Sequence, residues 1–491
     1  MRVISAGNSR HEVIDVVRTD VPARMDRLPW SSWHWLMLVG LGTVWILDGL
    51  EVTIVSALSD RLTEPGSGLV LSETQVGLAT SCYVTGAVCG SLFFGYLTDR
   101  WGRKRLFLLT LALYLLATVL TAFSFAPWWF FVMRFLTGAG IGGEYAAINS
   151  AIDELVPARW RATVSLAVNG SYWFGAAGGA ALSLVLLDVG LIPAWLGWRL
   201  AFGLGAVLGL FILIVRRTVP ESPRWLFTHG RAEEADRVVT GIEEHVREAT
   251  GEQLEPVDDT IEVEERTRTS LTEVAVTLVR SYPRRTLLGL ALFVGQAFLY
   301  NAVYFTQGLV LSRFFGVSSG SVGLYLVPLA AGSFVGPLVL ARFFDSIGRR
   351  PMIITSYLGS GVLLVGTGLL FQAGVLSALT LTIAWCAVFF LASAGASSAY
   401  LTVSEIFPLE VRALAIAIFY SVGTGLGGII GPVLFGSLVE SGVVANVAFG
   451  YYLGAGMMIA GGLAEAVLGI RAERRSLESV AEPLSAKAAT G

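Results

Sequence analysis

The stretch GYLTDRWGRKRLF, residues 95–107, sets five charged side chains between two long apolar runs. About half a chain length later, FFDSIGRRPMI at 343–353 repeats the arrangement. Around both stretches the chain is apolar: hydrophobic residues make up 54% of it, charged residues only 14%, and the mean hydropathy is +0.68. A soluble globular chain carries roughly 25% charged residues, so most of this surface is suited to lipid. Twelve apolar runs begin near residues 34, 74, 105, 128, 162, 197, 286, 320, 351, 375, 412 and 445. Each can cross a hydrocarbon layer of roughly 30 Å as a helix. A barrel would show short alternating segments instead. The fold class that follows is an all-α polytopic membrane protein with twelve transmembrane helices in two six-helix bundles.

Residues 1–33 are polar, carry Arg2, Arg10, Arg18, Arg24 and Arg27, and do not read as a cleavable leader. They form an N-terminal tail before a first bundle at 34–216. A polar loop at 217–285 separates it from a second bundle at 286–470, and 471–491 form a second tail. An even number of spans leaves both tails on one side. Thirty of the 34 Lys and Arg residues then fall in the tails and the connections on that side. Arg61, Arg199 and Arg313 fall on the other, and Arg134 lies within a span. The positive-inside rule makes the rich side cytoplasmic, in a cytoplasmic (inner or plasma) membrane. Within the loop, Ala232, Ala235, Val238, Val239, Ile242 and Val246 recur at helical spacing and predict an amphipathic helix on the cytoplasmic face. The acidic stretch EQLEPVDDTIEVEE after it reads as mobile, and the tail after Arg471 reads as disordered, with little to bury.

The halves share a second motif, ELVPARWRA at 154–162 and EIFPLEVRA at 405–413, each after the fourth helix of its half. All four motifs therefore belong on the cytoplasmic side. Parallel repeats with a central substrate site are one of the transporter architectures. Charge at helix ends escapes the roughly 2.5–3.5 kcal/mol cost of a charge at the bilayer centre. There it can form ion pairs that hold an inner gate shut and break when it opens. Gly102 and Gly348 permit the tight turns between the flanking helices.

Few ionisable residues lie deep in spans: Asp48 and Glu51 in the first, Arg134 and Glu144 in the fourth. Asp48 and Glu51 are three residues apart and share a helix face. Intramembrane charge is a functional candidate by default. Glu144 serves equally as a binding residue or as a packing acid. The glycines of GAGIGGE (138–144) suit close packing of the fourth helix, since no strand precedes them and no nucleotide loop is formed. The three cysteines, Cys82, Cys89 and Cys386, lie in apolar runs as small hydrophobes. No metal spacing occurs, no cofactor is implied, and no phosphate-binding loop of an ATP-driven pump is present. The four histidines, His11, His34, His229 and His245, avoid the span centres, so no enzyme is indicated.

The motifs D-R-x-G-R-K at Asp99 to Lys104, D-x-x-G-R-R at Asp345 to Arg350, P-E-S-P-R-W-L at Pro220 to Leu226, and the paired E-x-x-P-x-x-x-R segments carry a resemblance. Over roughly residues 34 to 470 the chain resembles the major facilitator superfamily, and within it the sugar-porter-like group. The resemblance implies an inner gate of Asp99, Arg103, Glu154, Arg161, Asp345, Arg349, Glu405 and Arg412, joined by Glu221 and Arg224. It further implies that Glu51, with Arg134, couples proton to solute, with Asp48 as a second candidate. Solute contacts are implied at Asn169, Gln296, Asn301 and Tyr400, with Glu144 beside them. Gln296 and Asn301 keep the helix-7 Q-x-x-x-x-N spacing, whereas Gly295 and Tyr400 depart from the group's Gln and Trp. Asp48-Gly49-x-Glu51 is also similar to the D-G-x-D of aromatic- and organic-acid proton symporters. The function implied is proton-coupled import of a sugar, polyol or sugar acid by alternating access. An aromatic- or organic-acid symporter is the alternative, with a uniporter or drug–proton antiporter behind it. The partners implied are the lipid bilayer, the solute and protons, with no nucleic acid, and the protein as a monomer. Tyr172, Trp173, Tyr300 and Tyr304 are candidates for cavity walls, though aromatics there often only pack.

Overall fold

The computed structural model describes residues 16–216, 220–257, 259–264, 270–304, 306–317 and 319–484. Six long helices form the first bundle: α1 Ser32–Thr63, α2 Glu73–Trp101, α3 Arg103–Ala122, α4 Pro127–Leu155, α5 Arg161–Leu186 and α6 Ala194–Arg216. The second begins with α7, a composite of Pro283–Phe298, a wider π-helical turn at Leu299–Tyr304, and Gln307–Phe315. It continues with α8 Ser319–Ser346, α9 Arg349–Gln372 and α10 Ala378–Ile406. α11 is again composite, Arg412–Gly425, a π-helical turn at Leu426–Ile430, and Gly431–Glu440; α12 is Val444–Leu468. Eight helical stretches among the described residues are long and apolar enough to cross a membrane on length and composition alone. Each predicted span coincides with one of the twelve helices.

Local chemistry sets the helix ends. Ser72 and Ser377 cap α2 and α10 through Oγ, and Pro127 and Pro283 occupy the first turns of α4 and α7. Gly102 (φ +96°) and Gly348 (φ +120°) make the turns out of α2 and α8 in a backbone region that disfavours side chains. A Cβ on Gly102 would also collide with the Glu221 carboxylate. The glycine run does what its spacing predicts. Gly138 and Gly142 of α4 lie against the backbone of Tyr83 and Ala87 in α2, so close that a Cβ would overlap the carbonyl oxygens. Within the bundles α2 packs on α4, α1 on α5, and α9 on α12; α5–α8 and α2–α11 are the main seams between bundles.

The predicted amphipathic helix is Ala232–Thr250, with Ala235, Val239, Ile242 and Val246 buried and Val238 half-buried. These residues join Val21, Met25 and Leu28 of the N-terminal segment and Trp225, Leu226 and Phe227 in one small apolar core against the end of α4. The polar tails and the acidic stretch depart from expectation. Residues Val16–Thr19 (β1) pair antiparallel with Ile261–Glu264 (β2), followed by a helix at Val21–Asp26. The stretch read as mobile is thus anchored by a two-stranded ladder and by Thr260 Oγ1, which accepts from Arg18 Nε at 2.8 Å. The C-terminal segment, described as far as residue 484, carries a short helix at Leu477–Val480. Ala472, Leu477 and Ala481 are buried there, and charge-assisted bonds supply what the scant apolar area does not. Of the tails and loop, residues 1–15, 217–219, 258, 265–269 and 485–491 lie outside the described residues.

Candidate functional site: a charged gate and a buried acid–base pair

The four motifs converge at one end of the molecule. In the first bundle, Arg103 Nη2 lies 3.2 Å from Asp99 Oδ1 and 2.9 Å from Glu154 Oε1, and its Nε donates to the same Glu154 oxygen. In the second, Arg349 Nη1 lies 2.7 Å from Asp345 Oδ1, while Nε and Nη2 both bond Glu405 at 3.0 Å. Every one of these side chains is at least nine-tenths buried. Two further arginines cross between the bundles: Arg412 Nη1 stands 3.5 Å from Glu154 Oε1, and Arg161 Nη1 stands 3.6 Å from Glu405 Oε1. The aspartates cross too. Asp99 Oδ2 accepts from Leu414 N at 3.1 Å, near the start of α11. Asp345 accepts from Thr163 N (2.8 Å), Thr163 Oγ1 (2.6 Å) and Ala162 N (3.4 Å), at the start of α5. Each carboxylate therefore sits where the positive end of a helix dipole favours it. The charged end is shut.

Glu221 and Arg224 reach this assembly differently from the other eight. Glu221 Oε1 accepts from Arg103 N at 2.9 Å and Lys104 N at 3.3 Å, so it caps α3 within its own bundle. Burial pushes the Glu221 carboxyl up from its usual value, against the pull of the amides that bond it. Arg224 donates Nη1 to the Glu154 carbonyl at 2.6 Å, and its Nε pairs with Glu478 Oε1 at 2.9 Å. Arg224 thereby ties the end of α4 to the C-terminal segment. No sequence motif pointed to Glu478, because its partner lies 254 residues away.

Deep in the first bundle, Glu51 Oε1 meets Arg134 Nη1 at 2.7 Å, with the two side chains 5% and 3% exposed. Thr118 Oγ1 donates to the other Glu51 oxygen at 3.3 Å. The Arg134 guanidinium lies 4.5 Å from the centre of the Tyr83 ring, a cation–π contact. Among the described residues, Asp48, 1% exposed, forms no ion pair. Its Oδ1 accepts from Tyr83 OH at 3.1 Å, and its Oδ2 accepts from Tyr145 OH. Asp48 and Glu51 thus share one polar cluster, linked by Tyr83. Sequence reading stopped at Glu144, one position short of Tyr145. Glu144 itself has no exposed surface.

The remaining predicted contacts are divided between the bundles, Asn169 on α5, Gln296 and Asn301 on α7, and Tyr400 on α10. Asn169 donates Nδ2 to Asn149 Oδ1 at 2.9 Å and to Ser165 O at 2.8 Å. Gln296 is half-buried on α7, and Asn301 donates back to Ala297 O at 2.8 Å from within the π-helical turn. Such a turn frees backbone from regular bonding and recurs at functional positions. Tyr400 faces Trp45 at 5.7 Å between ring centroids, and Tyr145 faces Tyr420 at 5.0 Å. Trp173 faces Tyr300 at 5.2 Å and Tyr304 at 4.8 Å. Each of these pairs joins the two bundles edge-on or tilted, as aromatic quadrupoles favour. Tyr172 packs edge-on against Trp173 in its own bundle.

Comparison with known proteins follows this geometry. The family described as "Sugar (and other) transporter" matches residues 33–482. The chain is 27% identical to the niacin transporter NiaP of Acinetobacter baylyi over 67% of its own length and 72% of the relative's. It is 24% identical to a D-xylose transporter of Levilactobacillus brevis, covering 78% and 82%. Among solved structures, the proton:xylose symporter XylE superimposes with a TM-score of 0.73 at 19% identity, over 91% of this chain and 98% of XylE. The fold is that of the major facilitator superfamily.

Proposed function

From the premise that this chain belongs to the sugar (and other) transporter family, we propose that it couples proton entry to import of a small polar organic solute by alternating access. What carries this reading is the buried pair Glu51–Arg134 in a molecule whose charged end is closed. The charged end faces the cytoplasm, with both tails, in a cytoplasmic membrane, as the arginine distribution supports. The protein acts as a monomer and not as an enzyme.

A neutral pair costs the interior far less than either charge alone. A proton arriving on Glu51 cancels its hold on Arg134, which then needs another acceptor. Arg134 lies on the Tyr83 ring, and Tyr83 bonds Asp48, so its release is felt at Asp48 and at Tyr145. Tyr145 meets Tyr400 and Tyr420 of the second bundle. Movement of this tyrosine is the step by which a proton in one bundle alters contact with the other. Solute enters among the same rings and beside Asn169, Gln296 and Asn301. The charged gate then parts and the solute leaves on the cytoplasmic side.

A sugar or polyol suits the amides, whose donors and acceptors match hydroxyl groups, and D-xylose is what the Levilactobacillus brevis relative is named for. An aromatic acid is the second reading. The rings that fill the seam favour it, since a flat solute replacing ring–ring contacts recovers them as stacking. The niacin transporter is the relative that supports it. Thermal-shift measurement of purified protein with D-xylose, myo-inositol and niacin separates the two, followed by uptake into proteoliposomes with and without a pH gradient. Coupling predicts accumulation only when the outside is acidic. Uptake that ignores the gradient would make the protein a uniporter.

A further inference from the structure

We infer that Asp26, in the segment before α1, is a positioning residue of the gate; this rests on the gate reading above. The family match begins at residue 33, so Asp26 lies outside it. Its carboxylate sits between two arginines that span the closed end. Oδ1 stands 3.5 Å from Arg161 Nη2 and accepts from Ala158 N at 3.2 Å, while Oδ2 stands 3.3 Å from Arg224 Nη2. Arg161 is the residue that crosses to Glu405, and its Nη1 also donates to the Arg475 carbonyl at 3.2 Å. Arg224 holds Glu478. Both arginines are essentially without exposed side-chain surface, at 1% and 0%. Arg161 otherwise shares Glu405 with Arg349, which bonds that carboxylate at shorter range, and lies in the field of the buried Asp153 carboxyl. Asp26 is the acid that faces both Arg161 and Arg224 and eases the burial of two guanidinium groups side by side.

The segment is built to hold that carboxylate still. Met25 and Val21 are buried in the small core on the loop helix Ala232–Thr250, and Arg24 and Arg27 both pair with Glu243. Burial pushes the Glu243 carboxyl up, but the two arginines more than offset this and hold it below its usual value. On the other side, Arg159 Nη2 donates to the Leu28 carbonyl at 2.8 Å. Asp26 is thus placed jointly by the loop helix, the N-terminal strand and the end of α4. It sets the direction in which Arg161 reaches across.

The test uses the full chain in liposomes, with Cys82, Cys89 and Cys386 replaced by serine and spin labels at Arg105→Cys and Ile347→Cys, exposed positions on opposite bundles. Pulsed electron-spin distances report gate opening, and the thermal midpoint is recorded alongside. Asp26→Asn is expected to raise the open population at least threefold while lowering the thermal midpoint less than Arg349→Ala does, and Asp26→Glu to restore the closed distance. Arg349→Ala serves as the gate control. If that control opens the gate while Asp26→Asn leaves the distances unchanged, or only lowers the midpoint, this inference is overturned and the gate stands. If neither variant changes the distances, the gate reading fails and takes this inference with it.

Discussion

At the charged end, arginines bond carboxylates of their own bundle at 2.7–3.2 Å and those of the other bundle at 3.5–3.6 Å. In the membrane interior, Arg134 and Glu51 meet at 2.7 Å, and both belong to the first bundle. The same chemistry is therefore spent in two ways. The end has tight pairs that keep each half intact and looser pairs across a seam that must part. Among the described residues, the interior pair makes no ionic contact across the seam and is linked to the other bundle through tyrosine rings. On the proposed function, which side is open is decided at the end, while when it changes is decided inside.

Arg349→Ala breaks the end most severely. It leaves Asp345 and Glu405 buried with their best partner gone, and loss of one member of a buried pair typically costs about 3–5 kcal/mol. A marked fall in the thermal midpoint, with transport lost, is the expected outcome. A midpoint within 1–2 °C of the parent, roughly below 1 kcal/mol in a chain of this size, would mean the pairs do not bear on stability. Tyr145→Phe probes the link instead of the end: it removes one donor to Asp48 but keeps the ring against Tyr420. Solute binding should persist while the accumulation driven by a pH gradient falls several-fold. Unchanged coupling in the variant would put the link elsewhere.

The smallest effect is one of pH. Burial of the His229 imidazole, with Arg103 nearby, lowers it from 6.5 to about 4. Between those values the unpacked state binds more protons than the packed one, so stability is full above pH 6.5 and falls as pH drops towards 4. After allowance for partial exposure this amounts to roughly 1–2 kcal/mol. Glu478 behaves differently. Burial raises its carboxyl, the Arg224 guanidinium and other contacts more than offset that, and it ends below 4.5. Its docking is therefore full above pH 4.5 and lost only as pH falls through that lowered value. A pH series of thermal midpoints should lose part of its slope between 6.5 and 4 in His229→Gln; an unaltered slope would assign it to another group.

The spans and the shared placement of the four motifs were legible, because each depends on local pattern or on a repeat with fixed spacing, while the Glu51–Arg134 pair followed from the family resemblance. Hydrophobic runs declare helices, and D-x-x-G-R with E-x-x-P-x-x-x-R declares where charge gathers. What escaped reading depends on distant partners. Glu478 looks like one more acid in a polar tail until Arg224 is placed beside it, and Asp26 has no periodic context at all. Tyr145 was hidden for another reason: a tyrosine beside a glutamate draws no notice until its hydroxyl is seen on Asp48. The strand at Ile261–Glu264 was masked by its acidic composition, which is poor strand material without a partner.

The most direct measurement is solute transport by Glu51→Gln in proteoliposomes, once a solute has been identified. The account predicts that exchange of labelled for unlabelled solute continues, since the gate is intact, while accumulation driven by an acidic exterior drops at least tenfold. Accumulation at the parent level in that variant would contradict it.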